Sequence, residues 1–149
     1  MSRGMRKLAE GAEPHLRPGE RIEVIQPVRN KGAIDAAALG GAIGAAAGAR
    51  GSSQERQAAA DVGIELGAFM AMAVTSERLL LFAVGGVATV KDLLAEVPLA
   101  EVDSIEVSKV MLGARKRIEV TLRGGSFVLE APGRQRAEEL AEALARAQA

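Results

Sequence analysis

At 149 residues the chain is long enough for one core and too short for two, and with 29 Ala and 17 Gly against three Phe and no Trp, Tyr or Cys its interior must be filled by aliphatic side chains. The absence of Cys removes disulfides, thiolate nucleophiles and sulfur-ligated metal sites, and the single histidine, His15, removes paired-histidine metal centres and leaves Ser-His-Asp chemistry one candidate base. Nineteen basic residues balance nineteen acidic ones, which with so few aromatics argues against a phosphate-backbone binder or a base-stacking platform, so no nucleic-acid partner is expected.

The first thirteen residues set Arg3, Arg6 and Lys7 beside Met5, Leu8 and Ala12, a short helix with a narrow apolar stripe that is expected to pack on the domain. Nothing there has the apolar length of a secretory signal, so a cytoplasmic location is expected. A turn at Pro18-Gly19 leads into "RIEVIQPV", a strand over Arg21 to Val28 in which Pro27 marks an edge side.

Residues 32–67 differ from the rest. Gly32 to Ala49 carries Asp35 as its single charge, the polar break "RGSSQER" follows, and Gln57 to Leu66 is again helix-compatible, which predicts a hairpin of two short helices. Gly40, Gly44 and Gly48 recur every four residues and so share one helix face, a smooth stripe that permits close approach of another helix. These three are the candidate interaction residues, for a protein partner or a homo-oligomer. A membrane span is disfavoured, because only Ile34, Leu39 and Ile43 are large and apolar, and because a span would put strands of one domain on opposite sides of a bilayer. Asp35, Asp61 and Glu65 have no regular ligand spacing, so no metal is expected, and no glycine run has the context of a phosphate loop, so no cofactor is expected either.

From residue 68 the pattern is β. "FMAMAVT" and "RLLLFAV" form a hairpin across the link Thr75-Ser76-Glu77-Arg78, Thr89 to Leu94 leads to "AEVPLAEVDSIEVSKV", and "RIEVTLRGGSFVLEA" alternates cleanly. In that last hairpin Ile118, Val120 and Leu122 point inward, Gly124-Gly125 is the expected two-residue turn, and Phe127 and Leu129 return inward. A helix over residues 134–147 presents Ala137, Leu140, Ala141 and Leu144 on one face and closes the domain.

The succession "LRPGERIEVI", "AVTSERLLLF", "EVPLAEVDSIEV", "RIEVTLRGGSFVLEAP" and a closing helix resembles bacterial pleckstrin-homology-like (PH-like) domains, over roughly residues 16–31 and 68–149. The resemblance implies an α+β, mainly β chain: a single domain over 1–149 built as a seven-stranded antiparallel PH-like barrel with a C-terminal capping helix, the Ala/Gly-rich helical hairpin being inserted between the first two strands. It further implies that Arg29 and Lys31, at the end of the first strand, stand where relatives clamp inositol phosphates. The second strand "AFMAMAV" supplies no base, so that pocket is not carried over. By the family's topology Lys91 and Arg123 join Arg29 and Lys31 as candidate anion- or lipid-binding residues at the barrel's open end, and Arg115-Lys116-Arg117 is expected to be a basic loop at the other end. The expectation is a non-enzymatic interaction module that associates with a protein or with itself through the hairpin. The alternative is a peripheral module that sits on an anionic membrane surface through the hairpin and the basic N-terminal region.

Overall fold

Among the described residues seven strands follow one another: β1 (Ile22–Asn30), β2 (Phe69–Thr75), β3 (Arg78–Gly85), β4 (Thr89–Pro98), β5 (Val102–Val110), β6 (Arg115–Leu122) and β7 (Gly125–Pro132). Helix α1 (Arg3–Ala12) precedes them and α2 (Glu138–Gln148) follows. This computed structural model describes residues 3–30, 69–85 and 89–148, so the hairpin expected over 32–67, with Gly40, Gly44 and Gly48, lies outside the described residues.

All seven strands belong to one antiparallel sheet in the order β4-β3-β2-β1-β7-β6-β5. Two meanders, β1 to β4 and β5 to β7, are joined by a short seam between β1 and β7, Arg29 opposite Glu130 and Asn30 opposite Leu129. β2, by contrast, pairs with β1 from Ile22 to Arg29. Among the described residues most of β1 therefore has one unpaired side, and Pro27, which cannot donate to a ladder, sits in that stretch.

One core is enclosed by the inner face of both meanders and by α2. It gathers Val24, Val28, Met70, Met72, Val74, Leu79 and Leu81 from the first meander, Ile105, Ile118, Val120, Phe127 and Leu129 from the second, and Leu140 and Leu144 from the helix. A second cluster lies on the outer face of the first meander, where Leu8 and Ala12 of α1 cover Ile25, Ala71, Ala73, Leu80 and Phe82. The stripe of α1 is used in this contact, and the small side chains of Ala71 and Ala73 leave room for the helix. Burial on both faces explains why "FMAMAVT" and "RLLLFAV" are apolar without alternating.

Two local expectations are corrected. Leu122 pairs with Gly125, so the tight connection of the last hairpin is Arg123-Gly124, one residue earlier than Gly124-Gly125. Residues Arg115, Lys116 and Arg117 lie within β6 and are not a loop. Lys116 shares the inward face with Ile118 and Val120 and is only 7% exposed, because its Nζ donates to the Gln135 carbonyl at 2.6 Å and to the Glu138 carboxylate at 2.8 Å. Those bonds, with the 3.3 Å bond from Gln26 Nε2 to the Arg136 carbonyl, hold the lead-in to α2 out of the helix. For that reason α2 starts at Glu138 and not at residue 134.

Candidate functional site

A groove of about 690 Å³ runs between α1, the unpaired side of β1 and the lead-in to α2. Met5, Leu8, Ile25, Pro27 and Val84 supply its apolar wall, and Glu23, Arg134, Arg136 and Glu139 stand among its lining residues. Arg136 and Glu139 pair with each other at 3.3 Å. Gln135 also lines it, and its buried Oε1 has no hydrogen-bond partner among the described residues, a state shared by Oε1 of the fully buried Gln26. An apolar wall with charged groups alongside suits an apolar side chain or segment of a partner.

The most perturbed ionisable groups serve the fold. Arg78 Nε and Nη2 grip both oxygens of Glu20, the Nε bond being 2.9 Å, while Nη1 reaches Glu96 at 2.6 Å and Nη2 the His15 carbonyl at 3.3 Å. Thr75 Oγ1 donates to Glu20 at 2.6 Å and accepts from the backbone N–H of Arg78 at 2.8 Å. The Arg17 N–H adds a bond to Glu20 at 2.9 Å. The Arg78 guanidinium, working against burial, holds the Glu20 carboxyl down at about 2. With both side chains almost fully buried, 0% exposed for Glu20 and 4% for Arg78, the pair is a clasp that ties the segment before β1 to the β2–β3 turn. His15 packs edge-on against Phe82, with ring centroids 5.3 Å apart.

The candidate anion residues fall on three different elements. Arg29, near the end of β1, is half-buried and places its guanidinium over the Phe69 ring at 5.5 Å from the centroid. Lys91 is exposed on β4, its stem lying over Gly85, where an added Cβ would come within 2.5 Å of its Cε. β2 and β3 stand between β1 and β4, three strand spacings or about 14 Å along the sheet. Arg123 is exposed in the β6–β7 turn, and Lys31 lies outside the described residues.

A feature absent from the sequence reading is the β5–β6 turn. Met111, Leu112 and Gly113 follow one another with φ of 50°, 57° and 87°. For Met and Leu this left-handed conformation costs about 1 to 2 kcal/mol each, and a turn of this shape ordinarily takes Gly, Asn or Asp. Leu112 is nevertheless fully exposed at 108%, and Met111 is 62% exposed. The turn is seated from behind: Gly133 N–H donates to the Ala114 carbonyl at 2.9 Å, and a Cβ on Gly133 would lie 1.7 Å from the Gly113 carbonyl oxygen. The available signal was "MLGA" standing between two strands where polar turn formers are expected.

Among the described residues no helix is long and apolar enough to cross a membrane, and no cluster of three metal-ligating side chains occurs. No family model matches the chain, and no curated protein matches it. Among solved structures it is similar to a DUF1696 family protein with a pleckstrin-homology domain from Shewanella loihica PV-4, with a TM-score of 0.52 and 12% sequence identity over 97% of this chain and 93% of that one. At that identity the likeness speaks to the fold: a mainly β, PH-like arrangement of seven antiparallel strands and a C-terminal helix.

Proposed function

We propose that this chain is a non-enzymatic interaction module on a PH-like barrel, and that it associates with a protein partner or with itself through residues 32–67. The observation that supports a binding role is the groove along the unpaired side of β1, apolar along its wall with Glu23, Arg134, Arg136 and Glu139 among its lining residues. The buried ionisable groups Glu20, Arg78 and Lys116 lie outside the groove's lining and are committed to partners, Glu20 to Arg78 and Lys116 to the half-exposed Glu138. The self-association half rests on the sequence: Gly40, Gly44 and Gly48 make a stripe in a charge-poor stretch.

Sedimentation velocity of the whole chain over a range of concentrations tests it. A concentration-dependent dimer or larger species is expected, and Gly44→Leu is expected to abolish it by filling the stripe. A monomer at every concentration, before and after substitution, removes self-association. For the groove, Met5→Arg, at a half-buried lining position of α1 outside the buried cluster, keeps the position helix-compatible and puts charge into the wall; a partner captured by the wild type and equally well by that variant would place binding elsewhere.

A further inference from the structure

We propose that the β5–β6 turn is a membrane-contact tip, with Met111 and Leu112 entering the interface of an anionic bilayer while the flanking basic side chains meet lipid phosphates and carboxylates. Three observations converge on this. The backbone is held in successive left-handed conformations that project two large apolar side chains into solvent, 62% and 108% exposed. Such a conformation persists only where the surroundings impose it, and here Gly133 backs the turn at van der Waals range.

The charge around the tip is in positive excess, five cations (Lys109, Arg115, Lys116, Arg117 and Arg134) against the three carboxylates that pair with them. Across the β5–β6 pair Val110 faces Arg115, Lys109 faces Lys116 and Ser108 faces Arg117. Arg115 and Lys116 are half-buried or buried against Glu130 and Glu138, and Arg117, 48% exposed, pairs with Glu119 at 3.4 Å, whereas Lys109 is exposed. Arg134 is exposed and follows directly on Gly133.

The chemistry selects the occupant. A bilayer interface accepts two apolar side chains without needing a shaped pocket, and its negative surface attracts the cations behind them. A second copy of this tip would set like charges against each other, and nucleic acid offers nothing to Leu112. The inference uses residues separate from those of the self-association reading, so each can fail alone.

The chain has no Trp or Tyr, so Leu112→Trp installs a single reporter at the tip. Its emission is expected to shift to the blue with phosphatidylserine-containing vesicles at low salt, and not with phosphatidylcholine vesicles or at high salt. In flotation with the same vesicles the wild type is expected to rise with the anionic lipid. Met111→Glu with Leu112→Glu is expected to weaken that binding about tenfold or more, and Lys109→Glu by a smaller factor. Leu112→Gly keeps the proposal testable should the acidic pair misfold: it relaxes the turn and is expected to melt higher while floating less. Gly44→Leu is expected to float like the wild type. The proposal is overturned if the wild type does not float with anionic vesicles, if it floats equally with neutral ones, or if the turn variants float unchanged. It is also overturned if those variants alter sedimentation and leave flotation alone, which would make the tip a contact between copies.

Discussion

The two meanders of the sheet use the same strand geometry and bury their faces differently. β2 and β3 lie between the inner core and α1, so Met70, Met72 and Val74 look inward while Ala71 and Ala73 look outward, and all five are buried. β6 has one covered face: Ile118, Val120 and Leu122 are buried while Glu119 and Thr121 are partly exposed. A doubly covered strand loses its period-two signature and a singly covered one keeps it. An apolar run in this chain is therefore evidence of an extra layer, and that layer is the N-terminal helix.

The sharpest way to break the comparison is Phe82→Ala. Phe82 is completely buried on the outer face of β3, against His15 and the α1 cluster. If that face is a true core, the substitution costs about 4 kcal/mol in denaturant melts, as for an inner aromatic. A cost near zero would demote α1 to a loose cover.

Next comes Glu20→Gln, which leaves the Arg78 guanidinium buried without its counter-charge and is expected to cost about 3 kcal/mol or more. The same pair sets an acid limit. Because the Glu20 carboxyl is held at about 2 in the folded chain against an ordinary 4.5, its contribution is complete above 4.5 and disappears as pH falls toward 2. Acid titration of stability should show that loss in the wild type and a shallower fall in Glu20→Gln.

Lys116→Met tests the second meander at its point of contact with α2. It removes the bonds to the Gln135 carbonyl and to Glu138, and is expected to cost about 1 to 2 kcal/mol. The Lys116 ammonium also holds the Glu138 carboxyl below its ordinary range, so this contribution too is present above that range and falls away as acid protonates Glu138. The smallest effect is expected at Thr121→Ala, on the solvent side of β6, within about 0.5 kcal/mol of the wild type. Parity between Thr121→Ala and Ala71→Thr, its counterpart on the outer face of β2, would erase the difference between the halves.

Much of this arrangement was legible. The succession of strands along the chain, the β2–β3 link at Ser76-Glu77 and the inward set of the last hairpin follow from alternation and turn chemistry, which act between neighbours in the chain. What escaped has non-local causes. Lys116 reads as a surface cation until Gln135 and Glu138 are brought to it, nineteen and twenty-two residues further along. Glu20 and Arg78, fifty-eight positions apart, carry no sequence mark of their bidentate contact. Met111 and Leu112 look like the apolar end of a strand until their φ values place them in a left-handed turn.

By itself the sequence determined the succession of the described strands and of the helices that flank them, because hydrophobic period, Pro and Gly positions and helix faces are local properties. It also determined that the core would be aliphatic, since the side chains available are. Only the tertiary structure decided which faces are covered, because a second layer comes from a helix distant in the chain. It alone decided that one lysine is an interior anchor, that one carboxylate is held far below its usual range, and that two apolar residues are left in water at the tip of a turn. Each of those depends on what surrounds a side chain in space, and burial and electrostatics are fixed by that surrounding and not by the neighbours in sequence.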